Sequence, residues 1–190
     1  MSTSSQTKKI TFVFLLMLLF IGGLWLFFIP NTTMIKKFSL KIHSEWEVEQ
    51  VEKEVLSQLQ LKSNLSYTLA ASILGLKKYR PGLYEITPGM TNFQLIRKLR
   101  SGKQTPVQFV LNNIQTKEDF AGKVARYLEI DSTTVMTHLT DSAFCASLGF
   151  NTDNILCLFT QNTYEFYWNT SFDKFMLRMN DEYTKFWNAE

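Results

Sequence analysis

The sequence predicts an α+β fold, with one N-terminal transmembrane helix followed by small βα units. Three observations carry this reading. An uncharged apolar run occupies Ile10 to Ile29. Beyond it, short stretches of period-two alternation repeatedly give way to stretches with apolar residues three and four apart. Most of these changes of period are marked by a Pro/Gly turn or by a Ser, Thr or Asp placed to cap a helix.

The apolar run reads "ITFVFLLMLLFIGGLWLFFI". At a rise of ~1.5 Å per residue such a helix covers the ~30 Å hydrocarbon core of a bilayer. A cleaved signal peptide is the competing reading, but the run exceeds the usual apolar core of ~7 to 15 residues, and no small-residue cleavage site follows "FFIPNTT". Lys8 and Lys9 precede the span, and Lys36, Lys37 and Lys41 follow it, so the positive-inside count nearly ties. The short tail is placed in the cytoplasm because little chain precedes the span and the folded bulk follows it.

Composition bounds the remainder. A chain of 190 residues, 45% hydrophobic and 19% charged, supplies one span and one or two small domains instead of a single large core. The net charge of +3 is slight and the lysines are scattered, so no basic stripe for nucleic acid is visible. Cys145 and Cys157 sit in apolar surroundings without metal-ligand spacing, and read as buried free thiols in preference to a disulfide. Nothing in the spacing of the ligating residues indicates a metal or another cofactor.

After the span, Phe38, Leu40 and Ile42 alternate as a short strand, and the pattern turns helical from about Ser44. Ser44 fits an N-cap with Glu47 as its capping-box partner, ahead of an apolar face of Val48, Val51, Val55 and Leu59. His43 reads as a solvated strand-end residue, since no second ligand stands at metal spacing. The stretch "NLSYTLAASILGLKKY" predicts a second helix ending near Gly75. Pro81 and Gly82 predict a turn, Leu83 to Thr87 a strand, and Pro88 and Gly89 another turn. Thr91 then caps a helix in a capping box with Gln94, with Phe93, Ile96 and Leu99 on the apolar face and Gly102 as terminator.

"PVQFVLNN" predicts a further strand, and Thr116 caps a helix striped by Phe120, Val124 and Leu128. Asp131 or Ser132 opens another helix carrying Val135 and Leu139, and "DSAFCASLGF" predicts a short one stopped by Gly149. Near the end, Phe172, Phe175, Met179, Tyr183 and Phe186 form an apolar face that predicts a missing partner. Just before it, "LCLFTQNTYEFYWNTSFDKF" sets Glu165 between Tyr164 and Phe166. A carboxyl lined by aromatic rings is desolvated and becomes able to deliver a proton near neutral pH, which makes Glu165 the first candidate acid.

The segment "GLYEITPGMTNFQLIRKL" resembles a LysM-type unit, in which a Gly-x-Tyr-x-Ile strand leads through a turn into a Thr-capped helix. One span, this unit, then "VQFVLNNIQTKEDFAGK" and "FTQNTYEFYWNTS" form a succession similar to the MltG (YceG-like) family of endolytic murein transglycosylases, in its Bacteroidetes-type form. The resemblance implies a bacterial inner-membrane protein, single-pass with its bulk periplasmic, that cuts nascent glycan strands of peptidoglycan and leaves anhydro-muramic ends. One Glu would protonate the glycosidic oxygen while the sugar's own hydroxymethyl oxygen closes the ring. An internal nucleophile of high effective molarity lets one acid/base residue suffice, unlike the two-carboxylate scheme of ordinary glycosidases. Implied partners are glycan strands, the membrane and cell-wall synthesis proteins.

The organisation so implied is a cytoplasmic tail at 1–9, the span at 10–29, a strand and helices at 30–78 and a LysM-like subdomain at 79–104. A strand and helices at 105–150 lead to the start of a truncated catalytic domain at 151–190. In the family the acid lies downstream of the Asn-Thr-Tyr motif, in a helix of the type Ala-Ser-Ile-Val-Glu-Lys-Glu. "AASILGLKKY" has Gly75 where that Glu is needed and stands before the LysM-like unit, and Glu190 is the last residue. The expectation is therefore an inactive N-terminal portion with no catalytic residue of its own, and Glu165 becomes a flanking structural residue.

Tyr84, Met90, Thr91, Asn162 and Tyr164 are the candidate glycan contacts, each with capping, turn or packing roles as the alternative. Gln161 stands where the family has a proline, which predicts a less rigid loop. Two other readings stay open: a non-enzymatic, membrane-tethered peptidoglycan-binding protein, and an unrelated bitopic α+β protein that shares only the capping logic.

Overall fold

A computed structural model describes residues 3–75 and 78–188. The expectations for Glu190 lie outside the described residues. The chain divides into two units, one formed by the residues up to Arg80 together with Tyr84–Lys103, the other by Pro81–Leu83 and the residues from Gln104 onward. The architecture is mixed α and β, with two two-stranded sheets, β1 with β2 and β3 with β4.

The first unit begins with α1 (Thr3–Phe28), whose stretch Lys9–Phe28 is long and apolar enough to cross a membrane. Its apolar side chains are exposed as far as Trp25, and then Leu26 and Phe27 pack against the unit's core. The unit continues through β1 (Phe38–Ile42), α2 (Val48–Gln58), α3 (Asn64–Ile73), β2 (Gly82–Ile86) from Tyr84 onward, and α4 (Asn92–Ser101). Leu40 and Ile42 from β1, Val51 and Val55 from α2, Tyr67 from α3, Tyr84 and Ile86 from β2, and Leu95, Ile96 and Leu99 from α4 share one buried cluster. Strand alternation delivers the first and fourth sets, and three- and four-residue spacing the others.

Thr91 and Gln94 form the expected capping box, and Gly102 ends α4 at φ 72°, a left-handed conformation in which a Cβ is costly. Two details of this unit differ from the sequence reading. Helix α2 starts at Val48 with Glu47 itself as N-cap and Gln50 closing the box. Ser44 instead lies in a turn, closed by the Trp46 amide on the His43 carbonyl at 3.3 Å and by the His43 and Trp46 rings 4.6 Å apart. In α4 the buried stripe is Asn92, Leu95, Ile96 and Leu99, while Phe93 is half-buried and packs its ring 5.7 Å from Phe28 of α1.

The segment Pro30–Thr33 ties this unit together. Its backbone bridges Thr91 at Pro30 and Leu61 at Thr32. The Asn31 and Thr32 amides both donate to the Met90 carbonyl, and the Lys62 amide donates to the Asn31 carbonyl. Buried side chains complete the tie. Asn92 Nδ2 donates to the Leu26 carbonyl at 2.9 Å and to Ser66 Oγ at 3.1 Å, and its Oδ1 accepts from Asn31 Nδ2 at 2.8 Å. Asn31 Oδ1 in turn accepts from the Ser63 amide at 2.9 Å. Leu26 carries one of the last four carbonyls of α1, which have no partner inside their own helix, so Asn92 caps α1 from α4.

The second unit contains β3 (Val107–Leu111), α5 (Lys117–Tyr127), α6 (Ser132–Thr140), α7 (Ser142–Ser147), a 3-10 turn (Ile155–Leu158), β4 (Asn162–Phe166) and α8 (Phe172–Asn188). Thr116 caps α5 and Asp131 caps α6, and Gly149 follows α7 at φ 82°. The core is aromatic: Phe109, Phe120, Phe159, Phe166 and Phe175 are buried, with Phe109 edge-on to Phe175 at 5.6 Å and Phe120 stacked on Phe159 at 3.8 Å. Phe172, Phe175, Met176 and Met179 of α8 are buried in this core and Tyr183 packs against it. The apolar face of α8 therefore has its partner over most of its length; Phe186, at its far end, is exposed. Both cysteines are free, but only Cys145 is buried; Cys157 is exposed because it falls on the outer side of the 3-10 turn between buried Ile155 and Leu158.

Two outcomes are expected. Asn92→Ala takes the donor from the Leu26 carbonyl and leaves Asn31 Nδ2 and Ser66 Oγ with the Ser63 carbonyl as their remaining acceptor, and should cost the first unit about 1–3 kcal/mol in denaturant unfolding of the full chain in detergent. Asp131 accepts hydrogen bonds from Thr134 Oγ1 and the Thr134 amide, which hold its carboxyl down to about 2. Its folded value lies below the ordinary one near ~4, so its contribution is present above that value and is lost as pH falls through about 2. Asp131→Asn should therefore flatten the fall in melting temperature between pH 5 and pH 2.5.

Candidate functional site

The motif "NTYEFYW" coincides with β4 and the two residues after it, and its roles follow from strand geometry. β4 runs antiparallel to β3, pairing Val107 with Phe166, Gln108 with Glu165, Phe109 with Tyr164, Val110 with Thr163 and Leu111 with Asn162. Successive side chains point to opposite faces, so one face goes to the core and the other to solvent. Tyr164, Phe166 and Trp168 are buried, and Thr163, Glu165 and Tyr167 are exposed.

Glu165 is thus separated from the two rings that flank it in sequence. Tyr164 and Phe166 enter the core, while the carboxylate stands on the solvent face and accepts from Gln108 Nε2 at 2.5 Å. This is a cross-strand pair on an exposed surface, of the kind that contributes a few tenths of a kcal/mol up to ~1. Tyr164 is 5% exposed, and its hydroxyl donates to the Thr160 carbonyl at 2.7 Å. Asn162 is exposed at the strand's start, where its Oδ1 accepts from the Thr163 amide at 2.7 Å. Gln161 is exposed, next to a Phe159 held by its stack on Phe120.

The other candidate contacts lie in the first unit. Tyr84 is fully buried, and its hydroxyl donates to the Arg80 carbonyl at 2.7 Å. Burial pushes its phenol up to about 12. Met90 is half-buried; its amide donates to Thr32 Oγ1 at 2.7 Å and its carbonyl accepts from the Pro30–Thr33 segment. Thr91 spends its hydroxyl on the Gln94 amide. Tyr84, Met90 and Thr91 are therefore engaged in packing, stitching and capping, whereas Asn162 keeps an exposed side chain in the other unit.

The residues that the motif does offer outward are Thr163, Glu165 and Tyr167, with Gln108 from β3 beside Glu165. Together they present a hydroxyl, a carboxylate, an amide and a phenol to solvent, a donor and acceptor set suited to polyhydroxylated ligands. Reading period two through "NTYEFYW" would have separated these from Tyr164, Phe166 and Trp168. In the first unit an open groove of about 440 Å³ is lined by Met34, Ile35, Phe38, Lys36, Lys37, Gln58 and Gln60 and holds no carboxylate. Among the described residues, no Asp or Glu side chain is buried.

Glu165→Gln should leave the melting temperature nearly unchanged, within about 0.5 kcal/mol of wild-type stability. Tyr164→Phe, which removes a buried hydroxyl from its carbonyl partner, should cost about 0.5–1.5 kcal/mol in the same measurement.

Three chains among solved structures match. One is the crystal structure of the yceG-like protein lmo1499 from Listeria monocytogenes, at 17% identity and a TM-score of 0.42, covering 79% of this chain and 55% of that one. The chain thus spans about half the length of that protein. No curated protein matches. The profile of the YceG-like family matches residues 40–190, from β1 to the end of the sequence, and on that match the chain belongs to the YceG-like family.

Proposed function

We propose that these residues form the membrane-anchored, glycan-handling part of an endolytic peptidoglycan lytic transglycosylase of the MltG type. The family match over 40–190 carries this reading. The apolar stretch of α1 supports a single-pass anchor in a bacterial inner membrane, with the residues that follow it on the periplasmic side. The outward face of β3 and β4, with Gln108, Thr163, Glu165, Tyr167 and the exposed Asn162, is the surface that meets the glycan. Tyr164 supports it from within the core of the second unit.

Glycan cleavage by this route needs a carboxyl that is protonated near neutral pH, and the usual means is a dry pocket. Each described Asp and Glu is at least partly exposed, and Glu165 is hydrogen-bonded on an open sheet face. In this reading the 190 residues bind glycan without cutting it. The same observation favours a second reading, a membrane-tethered peptidoglycan-binding protein with no enzymatic role.

Incubating the purified full chain in detergent with peptidoglycan sacculi should give co-sedimentation without release of anhydro-muropeptides above a blank. Released products would sink the non-cutting reading, and failure to co-sediment would sink both. The coding sequence beyond the last codon separates the two: an Ala-Ser-Ile-Val-Glu-Lys-Glu type stretch, in frame or after a frameshift, supports the enzyme, and unrelated sequence supports the tether.

A further inference from the structure

Helix α3 has a surface unlike that of α2 and α4, the other short helices of its unit. Its buried face is Tyr67, Ala70 and Ala71. On the opposite side Leu65, Leu69 and Ile73, each one turn from the next, are 70%, 47% and 65% exposed. The remaining exposed positions are Asn64, Thr68 and Ser72, so the whole helix, NLSYTLAASI, carries no charge. The exposed positions of α2 include Glu49 and Lys53, and those of α4 include Arg97 and Arg100, as water-facing helices require.

The position of α3 identifies what covers this face. Asn92 Nδ2 joins the Leu26 carbonyl and Ser66 Oγ at 2.9 and 3.1 Å, so the first turn of α3 lies one side chain away from the last turn of α1. Leu26 belongs to the apolar stretch Lys9–Phe28. A bilayer that surrounds this stretch must reach the neighbourhood of α3. At ~1.5 Å per residue a helix this short is far from spanning, but an uncharged helix with an apolar stripe suits the headgroup and acyl boundary.

We propose that α3 is an interfacial helix, with Leu65, Leu69 and Ile73 set into the bilayer surface beside α1. The proposal rests on reading α1 as a span and adds a second membrane contact to it. One transmembrane helix leaves the attached unit free to swivel. A helix lying in the interface removes that freedom and holds the unit at a constant height and tilt over the membrane, where nascent glycan is handled.

The test places a nitroxide spin label at one position at a time in the full chain, in a Cys157→Ser background that leaves the buried Cys145. Leu65→Cys, Leu69→Cys and Ile73→Cys are the probes, Leu16→Cys is the reference inside the span, and Ser57→Cys on α2 is the aqueous reference. The protein is reconstituted in vesicles of phosphatidylethanolamine and phosphatidylglycerol, and collision with oxygen is compared with collision with a water-soluble nickel chelate. The expected oxygen-to-chelate ratio at 65, 69 and 73 is several-fold above that at 57, and the ratio at 16 is high. Ratios at the three sites equal to that at 57, with 16 still in the bilayer, overturn the proposal and leave the span intact. Shielding of the three sites from both reagents means that protein covers the face, and also overturns it. A Leu16 label as wet as Ser57 overturns the span and the proposal together.

Discussion

The hydrogen-bonded pair Asn31 and Asn92 is the constraint on which the first unit depends. Each asparagine side chain is buried, and each has both its amide and its carbonyl engaged. Asn31 sits in the stretch that leaves α1, Asn92 in the first turn of α4, and their remaining partners are the last turn of α1 and the N-terminus of α3. A buried polar network is costly when any member is unpaired, so it tolerates few alternative arrangements. Apolar contacts alone would allow the end of α1 to slide or rotate over Leu26 and Phe27. The amide pair admits one register, and thereby makes the end of α1 a continuation of the folded unit.

The second unit reaches a single arrangement by different means. Its core is crowded with phenyl rings, and the contacts of Phe109 with Tyr127, Phe166 and Phe175 are all edge-to-face. Rings in that geometry gain from the opposed charge of edge and face, which makes the packing directional although the groups are apolar. The β3–β4 ladder sets the spacing of Phe109 and Phe166, and α8 inserts Phe175 between the elements. Here strand register and ring orientation determine each other, and the outward row of Thr163, Glu165 and Tyr167 is a by-product of the same alternation.

Local features of this fold were legible in the sequence, and interactions between distant segments were not. Thr91 and Thr116 were identifiable as caps, and the α6 cap could be narrowed to Asp131 or Ser132, because a cap bonds amides within its own first turn and one short local pattern expresses the physics. The start of α2 was misplaced because Ser44 and Glu47 offer two competing caps, and the choice is made by the His43–Trp46 contact. The apolar face of α8 was visible, but its partner was not, since period 3.6 shows that a face will be buried and is silent about what buries it. The Asn31–Asn92 pair spans 61 residues, and no local spacing rule connects the two asparagines. In the candidate site, period two in "NTYEFYW" contained the inward and outward rows in full. The aromatic neighbours of Glu165 in sequence are not its neighbours in space, because adjacent residues of a strand face opposite ways.

That last point bears on what kind of chemistry this surface is able to support. A proton donor to a glycosidic oxygen needs low local dielectric, and an extended strand provides it only for residues on the covered face. Placing Glu165 in such surroundings would require shifting the β3–β4 register by one residue, which would also turn Tyr164, Phe166 and Trp168 out of the core. The burial of those three rings outweighs any such shift by several kcal/mol. The fold therefore holds this carboxylate in water for as long as its core stays packed, with Gln108 of β3 as its hydrogen-bond partner.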